Sequence, residues 1–109
     1  DNFSAFHRIA SDEVWHFYAG DPISVFVIHH NGTLEEVRLG KDFSKGQVPQ
    51  CVVPAGAWFA SKVADGGLYS LVGCTVSPGF DFADFEMADR ENLVNKFPVY
   101  KGLIVSLTR

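Results

Sequence analysis

Between Phe3 and Val76 the chain never holds an apolar pattern as long as a core helix needs; it writes short runs, each stopped by a turn signal. The clearest case is ISVFVIHH (23–30), which meets Asn31-Gly32, the strongest short hairpin signal, and returns as TLEEVRLG (33–40). Before it, DNFSAFHRI (1–9) stops at ASD (10–12), and EVWHFYAG (13–20) stops at GDP (20–22). After the loop KDFSKGQ (41–47) come CVVP (51–54), AWFASKV (57–63), the turn ADGG (64–67) and LYSLVGCTV (68–76). Strands this close, joined by turns rather than helices, predict an antiparallel sandwich or barrel.

Composition supports that reading. Ten Phe, three Tyr and two Trp in 109 residues are a heavy aromatic load, and aromatic and β-branched residues favour strands. With 47% hydrophobic and 20% charged residues, the chain reads as one globular domain spanning 1–109. In the central strand Ile23, Val25 and Val27 share one face, while Phe26 and Ile28 hold the other. A strand apolar on both faces is covered on both sides, by a partner subunit or by an outer element of the same chain.

The tail changes character. Asp89 is placed as a helix N-cap, with Leu93, Val94 and Phe97 following at helical spacing. Pro98 suits the first turn of a second helix that carries Leu103, Ile104 and Leu107 on one side. Both helices are expected to pack outside the barrel.

Several partner classes are disfavoured. The net charge is −4 and the basic residues are scattered, so the basic stripe of a nucleic-acid binder is missing. No apolar run approaches the ~20 residues of a membrane helix, and no signal-peptide pattern opens the chain. Cys51 and Cys74 lie in apolar runs and read as two small core thiols of a cytoplasmic protein rather than as a disulfide. The chain opens without Met, already in a strand, as a fragment or trimmed form of a longer domain would.

The candidate chemistry lies in FHRIASDEVWHFYAG (6–20). Strand parity that points His7 inward takes Phe3, Ala5 and Ile9 with it; an inward Glu13 brings Trp15 and Phe17 and turns His16 and Tyr18 away. His7, Ile9, Glu13 and Gly20 stand at the spacing H-x-I-x3-E-x6-G, which resembles the first cupin motif, G-x5-H-x-H-x3–4-E-x6-G. VVPAGAWFASKV resembles the second, G-x5-P-x-G-x2-H-x3-N: Pro54 and Gly56 supply the turn, Phe59 takes the histidine place and Val63 the asparagine place. The motif's leading glycine is matched only by Gly46, two residues further upstream. Together with LVGCTVSPGFDFADFEMADRENL, these blocks resemble the DUF985, or cupin-5, branch of the RmlC-like cupins. The resemblance implies a double-stranded β-helix, a small jelly roll, as a homodimer with no settled activity. It also implies a further N-terminal helix-and-strand segment that this chain lacks.

The departures bear on metal. The family's metal is held by three histidines and a glutamate, and here only His7 and Glu13 remain, with Ile9 and Phe59 in the other places. Two protein ligands hold a transition metal poorly, so no tight metal site and no cofactor are expected. What remains is an imidazole and a carboxyl in an aromatic cup. Trp15 and Phe59 form its walls, and Ser61, of the same parity as Phe59, can hydrogen-bond a ligand. Two uses are open for His7 and Glu13. One is binding a small sugar- or nucleotide-containing molecule; the other is metal-independent epimerase or isomerase chemistry, with the pair as acid and base. A retained hydrogen-bonded pair with no ligand is the plain structural alternative.

Other clusters are weaker. Asp81, Asp84 and Glu86 stand near three phenylalanines but lack the glycine and spacing of an EF-hand loop, and read as a surface loop tucking Phe onto the barrel. His29 and His30 flank the Asn31-Gly32 turn at a strand end. No Ser-His-Asp or Cys-His order appears.

Overall fold

The computed structural model describes residues 3–77 and 82–109. Its strands are β1 (Phe3–Arg8), β2 (Asp12–Gly20), β3 (Ile23–Ile28), β4 (Leu34–Leu39), β5 (Gln50–Val53), β6 (Trp58–Val63), β7 (Ser70–Ser77) and β8 (Glu86–Met87). Two short helices follow, α1 (Arg90–Lys96) and α2 (Lys101–Ser106). The strands form two antiparallel sheets, ordered β4-β3-β6-β1-β8 and β5-β2-β7. The strand-and-turn pattern therefore places every long strand, with ends shifted by at most two residues. Only the two-residue β8 has no sequence signal.

Two turns show how glycine sets the path. Gly32 N–H donates to His29 O at 2.9 Å, His29 N–H donates to Thr33 O at 2.9 Å, and Gly32 has φ +85°. The Asn-Gly signal is thus met by a longer turn with glycine in the left-handed position, not by a two-residue turn. Gly56 has φ +78°, and its N–H donates to Ile9 O at 2.8 Å, tying the Pro54–Ala57 turn to the end of β1.

Two cores flank the larger sheet. Between the sheets, Ile23, Val25, Val27, Leu39 and Phe59 meet Trp15 and Val53, with Phe17, Val72 and Val76 at the margin. On the other face, Phe6, Ile28, Trp58 and Ala60 pack with Leu93, Ile104 and Leu107 of the helical tail. Burying side chains of this size contributes roughly 1.5–3 kcal/mol each. Phe26 and Ile28, on the second face of β3, thus share a cluster with Leu93, Ile104 and Leu107 of the tail.

Asp89 caps α1 as expected, its carboxylate accepting from the backbone of Glu91 at 3.0 Å and Asn92 at 3.3 Å. Pro98 opens a 3-10 turn, Pro98–Tyr100, that leads into α2. Tyr100 ties this tail back to the β3–β4 hairpin: its hydroxyl donates to Gly32 O at 2.9 Å and accepts from Leu34 N–H at 3.1 Å.

Phe3 corrects the parity reading. It packs with the helix-side cluster rather than inward, with the Arg109 guanidinium 4.3 Å from its ring centroid. The cause is a β-bulge: Ser4 pairs with Ser61, but His7 pairs with Phe59, so one extra residue flips the strand between them. Phe6 then faces the helices, its N–H donating to Leu107 O at 2.9 Å.

Candidate functional site

The site begins with β1 and β6. His7 and Phe59 are direct cross-strand partners, and their rings lie 4.1 Å apart at 51°. Phe85, from the segment after the 82–84 turn, also stacks on His7, at 5.2 Å and 26°. His7 Nδ1 lies 2.7 Å from Ala5 O. A carbonyl oxygen only accepts, so Nδ1 carries the proton and neutral His7 keeps its lone pair on Nε2. Two aromatic rings and one backbone bond thus fix both the orientation and the tautomer.

The smaller sheet supplies the carboxyl. Along β2, Glu13 pairs with Val53 and Val76, and Trp15 with Cys51 and Cys74. Trp15 sits edge-on to Phe59 at 6.3 Å and 87°, which places this face of β2 opposite β6. Glu13 is half-buried, and burial pushes its pKa above the ordinary 4.5. The Trp15 indole N–H, the charge of His7 and the Cys74 thiol work in the opposite direction. The indole approaches the carboxylate closely enough to favour ionisation, yet Trp15 Nε1 is buried with no partner at hydrogen-bonding distance and angle among the described residues.

Both thiols join this face. Cys51 and Cys74 flank Trp15 on neighbouring strands, so they lie two strand spacings apart, roughly 9–10 Å, too far for a disulfide. Both are free, but Cys74 is exposed on the edge strand β7, which corrects the expectation of two core thiols. Burial first and Glu13 second push Cys74 up to about 12. Burial, then Glu35 and Glu13, push Cys51 up to about 11. Neither is a nucleophile near neutral pH.

The sequence-derived residues fall out as follows. His7, Glu13, Trp15 and Phe59 come together. Ser61 is buried on the same face of β6 as Phe59, further along the strand and opposite Val25. His16 faces away, 3.4 Å from Thr75 Oγ1. His29 pairs with Glu35 at 2.9 Å, and His30 Nε2 donates to Ala55 O at 3.1 Å. Glu86 is engaged by Arg8 at 2.8 Å, and Arg8 also lies 4.4 Å over Trp58. Asp81 and the Pro78-Gly79 turn lie outside the described residues. Sequence reasoning missed three neighbours of the site, Phe85, Cys51 and Cys74. The alternation of Cys51 with Val53 carried a signal for one of them.

The donor set does not fit the metal that the motif implies. Ile9 is 5% exposed in the core and Phe59 is 1% exposed against His7, which leaves one nitrogen and one carboxyl. Among the described residues no group of three His, Cys, Asp or Glu side chains is arranged to hold a metal. Clefts of 150–690 Å³ lie elsewhere, none of them lined by His7 or Glu13. One of 690 Å³ follows the β6–β7 turn from Lys62 to Ser70, without His7 or Glu13. It is a trough along a polar turn, whereas the polar groups that converge do so at His7 and Glu13.

Residues 1–88 match the family model described as Cupin superfamily (DUF985). The chain belongs to this cupin family. A protein from Shewanella oneidensis is 42% identical, with TM-score 0.92 over 98% of this chain and 67% of its own. A hypothetical protein from Leishmania major is 36% identical, with TM-score 0.92 over 97% of this chain and 69% of its own. Oxalate decarboxylase from Bacillus subtilis, 14% identical, aligns with TM-score 0.64 over 96% of this cupin and 27% of its own chain, a likeness of fold alone. No curated protein is significantly similar. No helix among the described residues is long and apolar enough to cross a membrane.

Proposed function

We propose that this cupin binds a small polar molecule, sugar- or nucleotide-containing, at His7 and Glu13. One observation carries the reading: two half-buried polar groups, His7 and Glu13, stand between aromatic walls, with the buried N–H of Trp15 beside them. Such convergence in an apolar surround is the ordinary form of a ligand site. On this reading the two sheets close as a jelly roll with the helices outside, in a cytoplasmic setting that suits two free thiols. The test is thermal shift with sugars, nucleotides and nucleotide sugars. Saturable stabilisation of the wild type that is lost in His7→Ala supports it. Stabilisation by none of the panel, or by the same compounds in both proteins, overturns it.

A second reading rests on the fixed tautomer. His7 Nε2 is a base held in place, and Glu13, with its raised pKa, is a carboxyl able to return a proton. The pair suits proton transfer at carbon next to a carbonyl, as in a metal-independent sugar or sugar-nucleotide epimerase or isomerase. Exchange of a carbon-bound proton with deuterated water separates this from binding alone.

Assembly as a homodimer fits the outer face of β5-β2-β7. Tyr18, Val52 and Leu71 are each more than half exposed there beside Val14, His16, Gln50 and Thr75, and the carboxylate of that row, Asp12, lies at the end of β2, accepting from Ala55 N–H. Two copies meet across such a face without like-charge repulsion. Sedimentation of a Val52→Glu variant as a monomer beside a dimeric wild type is the expected result.

A further inference from the structure

Trp15 is 6% exposed, and its Nε1–H has no hydrogen-bond partner among the described residues. A buried donor left unmatched costs about 1–3 kcal/mol, so such a group calls for an explanation. The surroundings narrow it. Phe59 meets the indole edge-on, Cys51 and Cys74 flank it in register, and the nearby acceptor is Glu13, one step along the same face of β2. The Trp15 indole and the Cys74 thiol both act on Glu13, and a carboxylate has about four lone-pair sites, so it has capacity for a further donor.

We propose that Trp15 and Glu13 together read a ligand hydroxyl, whose oxygen accepts from Trp15 Nε1–H and whose proton is donated to the Glu13 carboxylate. This deepens the sugar-binding reading above and rests on it. The argument is one of matching. A hydroxyl is donor and acceptor at once, and only such a group satisfies an adjacent N–H and carboxylate. A carboxylate or phosphate oxygen satisfies the indole but sets negative charge against Glu13. An ammonium satisfies Glu13 and leaves the indole opposed. The chain's charge of −4 adds to the bias against anions, and Arg8, the basic residue nearest in β1, turns outward onto Trp58 and Glu86. Water meets the same pattern, so a sugar gains over water through ring contact with Phe85, the half-buried ring that stacks on His7. Trp15 is on this account a specificity residue, which a purely structural tryptophan in a core row is not.

The test uses the ¹⁵N-labelled protein at neutral pH, titrated separately with D-glucose, D-mannose and D-ribose to tens of millimolar, and with acetate as the acceptor-only probe. The two indole N–H cross-peaks are assigned by the one lost in Trp15→Phe or, should that variant not fold, in Trp58→Phe. At least one sugar is expected to move the Trp15 indole peak saturably while leaving Trp58 in place. Acetate is expected to move neither, and Trp15→Phe to weaken that sugar about five- to tenfold. Acetate shifting Trp15 as strongly as the sugar overturns the hydroxyl assignment. A sugar that shifts the His7 ring resonances and leaves the Trp15 indole still overturns the role of Trp15 while the sugar site stands. Three sugars that move neither group overturn the sugar reading itself, and this inference with it.

Discussion

His7 and Phe59 face each other across β1 and β6 with ring centroids 4.1 Å apart, and Phe59 stands where the cupin motif carries a metal-binding histidine. A ligand position has thus become the wall that holds the remaining histidine. The expected outcome is that wild-type protein, after dialysis, carries far less than one equivalent of transition metal. A Phe59→His variant sets a second imidazole beside His7 and completes a three-donor set with Glu13. It should lose stability without metal and recover it with zinc, by about 2.7 kcal/mol at a hundredfold excess over its Kd. Thermal unfolding with and without zinc reads this directly. Equal zinc responses in variant and wild type would show that the donor count is not what decides.

Glu13 predicts a pH signature. Burial raises its folded-state pKa above the 4.5 of the unfolded chain, so ionised Glu13 opposes folding. Its contribution is most favourable below the unfolded value, declines as pH rises from 4.5 through the folded value, and is constant above. The groups acting on it, His7, Trp15 and Cys74, reduce the effect without reversing it. Glu13→Gln should therefore unfold at a higher temperature than wild type at pH 7, with the gap closing below pH 4.5. A gap that widens on acidification would mean that Glu13 is held by partners more than it is penalised by burial.

The thiols test the same charge from another side. Cys74 is exposed, yet its pKa stands near 12, so steric access and thiolate supply disagree. Alkylation by iodoacetamide at pH 8 should be at least about tenfold slower than for an unperturbed exposed cysteine, whose pKa is about 8.5, because scarce thiolate outweighs the greater nucleophilicity of a more basic thiolate. Glu13→Gln removes part of the cause and should speed modification of Cys74 more than that of Cys51, on which Glu13 acts after burial and Glu35. An unchanged Cys74 rate would place the whole effect in burial.

Much of this is legible in the sequence, for a physical reason. Alternation is a strict period of two, so spacing tells that Trp15 shares a face with Glu13 and Ile9 with His7, while the resemblance to the cupin motifs chose which face is inward. The same rule fails at Phe3, because the bulge between Ser4 and His7 inserts a residue that leaves no mark in composition. It misjudges Cys74 because an apolar run tells of a strand's neighbours but not of its place at a sheet edge. Phe85 stacks on His7 from 78 positions away, a contact of tertiary origin that no local pattern encodes. The unmatched Trp15 N–H belongs to the same class, since a missing partner is a property of the assembled site.

The helical tail offers a quantitative check on the outer core. Asp89 accepts from two first-turn N–H groups of α1, and Ile104 is fully buried among Phe6, Ile28 and Trp58. Asp89→Ala should cost about 1 kcal/mol, or roughly 4–8 °C in Tm for a domain of this size. Ile104→Ala should cost about 2–5 kcal/mol. A cost for Ile104→Ala no greater than that of the cap would argue that the tail is only loosely docked on β1, β3 and β6.

Two histidines of the opening stretch, His7 and His16, separate site from scaffold. They lie in neighbouring strands of the sequence but on different sheets, His7 paired with Phe59 and His16 with Gln50 and Gly73 on the outer face. His7→Ala removes the bond to Ala5 O and the ring that meets Phe59 and Phe85, so it should abolish stabilisation by any ligand held at His7 and Glu13. Because His7 is half-buried rather than core, the fold should survive the change with a loss of about 1 kcal/mol. His16→Ala gives up only a long contact with Thr75 on an exposed surface, and ligand stabilisation should match wild type. Thermal shift of the three proteins against the same sugar series decides it. Equal loss in both variants would move the binding surface from the cup to the outer face of β2.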